Sequence, residues 1–299
     1  MYLLQPKDKI QIVAPARSIT LDELQYAIRL FEKQGWQVVL GKYLFGKHHQ
    51  FSGTDTERVW DMQSAIDNPE IKAIVCARGG YGGMRIVDKV DFSPLKTCPK
   101  WLCGYSDTTV FHAHIHSQLQ LPTLHCTMPI NMNEELERQQ AHLSMIQALQ
   151  TGSLSYEVDS RPYNRKGVAE GVLVGGNLSL LYAVNNSISD IDTVGKVLFI
   201  EDLDEYLYHI DRMMLCLKRA GKLKLLKALI VGGMSDMHDN AVPFGQNAIE
   251  IILSHVKEYD YPVCFDFPAG HISDNRALIL GGKVRLMVDE KKVTLENYV

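Results

Sequence analysis

At 299 residues the chain is longer than most single-core domains, so two domains are expected. Its 46% apolar and 22% charged residues exclude disorder, and a net charge of −4 argues against a dedicated nucleic-acid surface. No apolar run approaches the roughly 20 residues of a membrane span, and Met1–Ile10 lacks the pattern of a signal peptide, so a cytoplasmic location is expected.

Lys9–Ala14 is a short β-like run ending in Pro15-Ala16-Arg17-Ser18. From Thr20 to Gln34 the residues Leu21, Leu24, Ala27, Ile28 and Phe31 recur at helical spacing, Thr20 with Glu23 forms a capping box, and Gly35 ends the helix. Trp36–Leu40 is the next strand. Asp55–Asp67 is a helix with Val59, Met62, Ala65 and Ile66 on one face, and Ile71–Cys76 is a third strand. It runs into Arg78-Gly79-Gly80-Tyr81-Gly82-Gly83, after which Met84–Val90 reads as helical. Trp101-Leu102-Cys103 ends a buried strand at Gly104-Tyr105-Ser106-Asp107-Thr108, and Thr109–Leu119 is a helix. Strands alternating with helices predict a doubly wound, parallel α/β sheet, whose ligands bind beyond the carboxyl ends of its strands. The glycine run and Ser106 both fall at such ends.

The polar, turn-rich stretch from about Gln150 to Gly167 marks a boundary between domains. We therefore expect an N-terminal domain over 1–155, a linker over 156–170 and a C-terminal mixed α/β domain over 171–299. In the latter, strands are expected at Val197–Ile200 and Ala228–Val231 and helices near Leu178–Asn185, Tyr208–Ala220 and Phe244–Lys257, with short strands from Ala277 to Val299. The six cysteines form no C-x-x-C pair, and several sit in apolar strand-like runs, as buried reduced thiols would.

Four features could carry chemistry. A serine at a tight strand-to-helix turn, as Ser106 is, has its hydroxyl exposed and a helix N-terminus behind it, as a nucleophile needs; the plainer reading is a helix cap. The glycine run lacks both G-x-G-x-x-G spacing and the Lys-Ser/Thr of a P-loop. Its backbone N–H groups could approach an oxyanion closely, or it is simply a turn. Glu201, following a strand, could orient a histidine, or belong to a solvated acidic loop. His271, in the loop Pro268–Arg276, suits a general base, although a lone loop histidine says little by itself. His112, His114 and His116 lack the glutamate of a zinc motif, so helix packing and solvation explain them better than a metal.

With Ser106, Glu201 and His271 in that order, the chain resembles the LD-carboxypeptidase family of serine peptidases. The resemblance covers nearly the whole chain. It rests on Ile12-Val13-Ala14-Pro15, Ala77-Arg78-Gly79-Gly80-Tyr81-Gly82, Gly104-Tyr105-Ser106-Asp107-Thr108, Gly175-Gly176-Asn177-Leu178, Phe199-Ile200-Glu201-Asp202, and Gly270-His271 with Asn275. It implies Ser106 as nucleophile, His271 as general base and acid, Glu201 as the orienting carboxylate, and an active site at the interface of the two domains. The oxyanion donors would be the backbone N–H of Asp107 and one from the glycine loop, Gly80 or Gly82, with Gly80 preferred. Arg78 and Arg276 are candidates for clamping the free carboxylate of an exopeptidase substrate.

The reaction implied is removal of terminal D-alanine from murein tetrapeptide during cell-wall recycling, through an acyl-enzyme and with no metal or organic cofactor. No nucleic-acid or membrane partner is implied, and a homodimer is compatible with the resemblance. Two alternatives stand beside it. One is a microcin-immunity-like peptidase that cleaves a peptide–nucleotide amide, with Tyr81 or Tyr105 as a platform for the base. The other is a non-catalytic α/β protein that binds a small ligand.

Overall fold

The computed structural model describes residues 3–299; Met1 and Tyr2, the start of the stretch read for a signal peptide, lie outside the described residues. The N-terminal lobe is built on strands β1 (Lys9–Val13), β2 (Gln37–Leu40), β3 (Ile71–Cys76), β4 (Trp101–Gly104) and β5 (Thr123–His125). They run parallel in the order β2-β1-β3-β4-β5. Helices α1 (Leu21–Lys33), α2 (Asp55–Asp67) and α3 (Thr109–Leu119) cover both faces. The alternation of side chains assigns each helix to a face. Ile10, Ile12, Ala73 and Val75 pack with Leu24, Ala27 and Phe31 of α1, whereas Ile74 and Cys76 pack with Met62, Ala65 and Ile66 of α2. Burying a side chain such as Leu24 or Phe31 contributes about 1.5–3 kcal/mol, and Thr20 and Thr54 start α1 and α2 with full capping boxes.

This strand order reverses between β1 and β3, so a crevice opens there beyond the carboxyl ends of the strands. The loops after β1, β3 and β4, which hold Arg17, the glycine run and Ser106, all emerge at that edge. Met84–Val90 is not the expected helix but two tight 3₁₀ turns, Gly83–Arg85 and Val87–Lys89.

The second lobe holds a seven-stranded sheet. Its elements are β6 (Ser153–Asp159), β7 (Gly167–Asn177), β8 (Val197–Leu203), β9 (Ala228–Ser235), β10 (Val263–Cys264), β12 (Lys283–Val288) and β13 (Lys292–Tyr298), in the order β10-β9-β8-β7-β12-β13-β6. The first four run parallel, and β7-β12-β13-β6 is antiparallel. Helices α5 (Leu178–Val184), α6 (Leu207–Arg219) and α7 (Ala248–Val256) pack through Leu181, Ile210, Met213 and Ile251 against Leu198 and Leu229. Between the lobes α4 spans Gln139–Thr151.

The expected linker over 156–170 is corrected by this sheet. Its first residues belong to β6 and its last to β7, leaving only 160–166 between the strands. The polar residues of the turn-rich stretch belong in part to an outer strand with alternating exposure, Leu154 and Tyr156 facing in and Ser153, Ser155 and Glu157 facing out. The chain also crosses back. Strand β11 (Leu278–Leu280) pairs antiparallel with β5, adding a sixth strand to the first sheet. One apolar cluster runs through both lobes, joining Ile12 and Leu124 to Phe199, Leu278 and Leu295.

All six cysteines are free, and Cys76, Cys103, Cys126 and Cys264 are buried. Among the described residues, no helix is long and apolar enough to cross a membrane.

Candidate active site

Ser106 sits between β4 and α3 with φ of +62°, a left-handed conformation that is strained for a residue with a side chain. Such strain holds the side chain out of the turn. Ser106 itself opens a 3₁₀ turn, Ser106–Thr108, so the N–H of Asp107 in its first turn has no intrahelical acceptor. The elbow is anchored from below by His112, whose Nε2 donates to the carbonyl of Gly104 at 2.9 Å. Burial drives the His112 pKa down to about 4. His112, His114 and His116 are all buried, so their role is packing, not the partial solvation expected. Gly79 lies against the elbow on the other side: a Cβ there would come within 3.0 Å of the Ser106 Cβ and Oγ, closer than ordinary contact allows.

His271 is fixed from four directions. Its Nδ1 donates to Glu201 Oε2 at 2.6 Å, and its backbone N–H donates to the same oxygen at 3.1 Å. Its carbonyl accepts from the Ser235 hydroxyl at 2.6 Å. The ring of Tyr105, next to Ser106 in the chain, lies 4.7 Å from the imidazole, centroid to centroid. With Nδ1 engaged, Nε2 is the nitrogen left for chemistry. Burial pushes the His271 pKa down, but the charge of Glu201, its hydrogen bond and the nearby Asp202 push harder, and the net shift is upward. Glu201 is fully buried at the end of β8. It reaches the imidazole past Gly270, whose φ is +102° and where any Cβ would sit 2.7 Å from the glutamate side chain.

The remaining motif residues build the frame. Asn177, at the end of β7, donates its N–H to Thr109 Oγ1 at 3.0 Å, joining the second lobe to the helix behind Ser106. Its Nδ2 donates to Asp202 Oδ1 at 2.9 Å, and Asp202 Oδ2 accepts from the N–H of Ser179 at 2.9 Å. Burial, with Glu201 next to it, raises the Asp202 carboxyl pKa to about 7. Asn275 Oδ1 accepts from the N–H of Gly270 at 2.7 Å and so braces the His271 loop.

Ser106 and His271 line one cavity of about 440 Å³ between the lobes. Arg17, Arg78, Gly79 and Gly80 form the wall of the first lobe; Asn177, Asp202, Asp204 and Glu205 form that of the second. The cavity is thus cationic on one side and acidic on the other. The N–H of Gly80 has no backbone acceptor among the described residues.

Of the two arginines expected to bind a carboxylate, Arg78 lines the cavity, with one guanidinium nitrogen donating to the Ser18 carbonyl at 3.0 Å. Arg276 does not line it. Its guanidinium bonds Asp274, two residues away, at 2.8 and 3.0 Å, and faces a separate hollow beside Glu157, Asp159 and Arg161. Arg17, which sequence reasoning passed over, lines the cavity instead. The signal was present: Arg17 follows β1 just as the glycine run follows β3.

The comparisons with known proteins follow the same division. The family model for the LD-carboxypeptidase N-terminal domain matches residues 10–126, and that for the C-terminal domain matches residues 170–286. A probable murein peptide carboxypeptidase of Bacillus subtilis is 36% identical over 98% of this chain and 93% of its own length. The crystal structure of a muramoyltetrapeptide carboxypeptidase from Oxalobacter formigenes superposes with a TM-score of 0.88 at 27% identity, covering 97% of this chain and 99% of that one. The microcin self-immunity protein MccF of Escherichia coli is 24% identical over 96% of this chain and 92% of its own length.

Proposed function

This chain belongs to the LD-carboxypeptidase family and is a serine-type carboxypeptidase; from that premise we propose that it removes terminal D-alanine from murein tetrapeptide. In this reading Ser106 attacks the carbonyl of the L-centre of the diamino acid. His271 Nε2 takes the serine proton and delivers it to the leaving amine of D-alanine. Glu201 holds the imidazole in the required tautomer and stabilises the imidazolium. Water, activated by His271, then releases the shortened peptide. The N–H groups of Asp107 and Gly80 would hold the oxyanion, with preorganised donors in a partly buried site.

The observation that carries the reading is His271, bonded to buried Glu201 at 2.6 Å, in the same cavity as a serine strained at an elbow. The charges of the cavity support the substrate class. Arg78 and Arg17 would take the free carboxylate of D-alanine, bidentate recognition being the strength of a guanidinium. The acidic wall opposite would suit the second amino group of a diamino acid. A carboxypeptidase acting on a zwitterionic peptide needs both.

MccF shares the fold, and a peptide–nucleotide amide is the competing substrate. The test is a side-by-side assay of synthetic tetrapeptide ending in D-alanine, the same peptide ending in L-alanine, and an aspartyl-nucleotide amide. Release of D-alanine alone is the expected result. Preferred cleavage of the nucleotide amide, or equal release of both alanines, would overturn the substrate assignment.

A further inference from the structure

The glycine run is gripped by two buried side-chain charges that have no role in the chemistry above, where Asp107 acts through its backbone N–H alone. Arg58, on α2, and Asp107, beside Ser106, are each 2% exposed. Gly82 and Gly83 share one peptide group, and both charges hold it. A guanidinium nitrogen of Arg58 (Nη1) donates to the Gly82 carbonyl at 3.0 Å, and Asp107 Oδ2 accepts from the Gly83 N–H at 2.6 Å. A cation at the oxygen and an anion at the N–H both align with the dipole of that peptide.

The same pair ties three loops together. Arg58 Nη1 also donates to the Pro15 carbonyl at 2.5 Å, linking the loop after β1 to the loop after β3, while its second nitrogen pairs with Asp55. Asp107 links the loop after β3 to the elbow after β4. Burying a guanidinium and a carboxylate is costly unless each is hydrogen-bonded or paired. Satisfying the buried Gly82–Gly83 peptide alone does not call for that cost, since neutral groups would serve. Holding two N–H donors on different loops at one fixed separation does, because oxyanion stabilisation depends on preorganisation and a run of four glycines has little stiffness of its own.

We propose that Arg58 and Asp107 are positioning residues which clamp the Gly82–Gly83 peptide and thereby set the glycine loop, with the N–H of Gly80, against the Ser106 elbow. The inference rests on the Ser106 reading given above and deepens it. Neither side chain touches substrate. Their effect passes through the one peptide they share.

The test uses Arg58→Lys, Asp107→Asn and the double variant in the full chain, with synthetic tetrapeptide as substrate. A lysine ammonium cannot span both carbonyls and Asp55, and asparagine keeps the shape of the aspartate without its charge. Each single variant is expected to lower kcat at least about tenfold with KM within about threefold, the signature of a lost transition-state interaction. The double variant should cost little more than the worse single one, because both act on one peptide. The Kd for tetrapeptide, measured in a Ser106→Ala background, should not move. A folded variant of either residue with kcat within threefold of the parent would overturn the clamp, as would a loss confined to KM. If Arg58→Lys does not fold, Asp107→Asn decides alone. The two readings fail separately. Parent-like turnover by Ser106→Ala removes the nucleophile, whereas parent-like turnover by the clamp variants, in a chain that needs Ser106, removes only the clamp.

Discussion

Two opposing effects set the proton affinity of His271, and the larger one comes from the second lobe. Burial disfavours the imidazolium, while the charge and hydrogen bond of Glu201, with Asp202 nearby, favour it and prevail. A general base works only when neutral, so activity should fall as pH drops through this raised value. The acid limb of kcat/KM is therefore expected above 6.5, and Glu201→Gln should move it to lower pH. Stability runs the other way. A histidine whose folded pKa is raised stabilises the fold fully below its unfolded value, about 6.5, and loses that increment as pH rises through the folded value. A pH profile of kcat/KM with an acid limb at or below 6.5, unmoved in Glu201→Gln, would contradict this assignment. Ser106, Glu201 and His271 could be proposed from the sequence because each lies beside a strand end or a glycine, but each pattern is weak alone and the family resemblance is what singled them out. Arg17 was overlooked although it follows a strand end; Arg276 shows where such reading stops, because the residue type is visible but the direction of its guanidinium is set by its bonds to Asp274.

At the scale of elements, β11 does more than its three residues suggest. It pairs with β5 in the first sheet, and buried Asn297 of β13 holds it to the second. The Asn297 side chain accepts from the N–H of Ile279 at 2.6 Å and donates to the carbonyls of Ile279 and Lys283 at 3.2 and 3.1 Å. Replacing it by leucine leaves these backbone groups without their partner, at about 1–3 kcal/mol for each one left buried. Asn297→Leu is thus expected to lose at least about 2 kcal/mol in denaturant unfolding, and a loss below about 0.5 kcal/mol, the range of ordinary surface changes, would refute the staple. Nothing in the local sequence of Asn297 announces this role, since its partners lie up to 18 residues away. Helix α4 was missed for a different reason. Its buried stripe of Ala141, Met145, Ala148 and Leu149 is diluted by Gln139, Gln140, His142 and Ser144, and no side chain caps its start. Strands β1 to β4 of the first sheet, by contrast, were readable as compact apolar runs, whereas β5, only three residues long, was not.

Across the whole molecule, Ser106 from one lobe and His271 from the other line one cavity, with Glu201 bonded to the imidazole from behind, over a core that both lobes share. Two domains were expected from the length and the turn-rich stretch near Gln150–Gly167, and their α/β class from the alternation of strands and helices. The way β6 and β11 interleave the lobes was not, because strand exchange between sheets leaves no periodic trace. The proposed mechanism turns on attack by the Ser106 hydroxyl on the scissile carbonyl. The most direct measurement is D-alanine release from synthetic tetrapeptide by the parent chain and by Ser106→Ala, each shown to be folded by its thermal transition. The account predicts a loss on the order of 10⁶-fold in kcat, as for triads whose members act as a unit. Turnover by the folded Ser106→Ala chain within about tenfold of the parent would contradict it, since triad loss leaves far less.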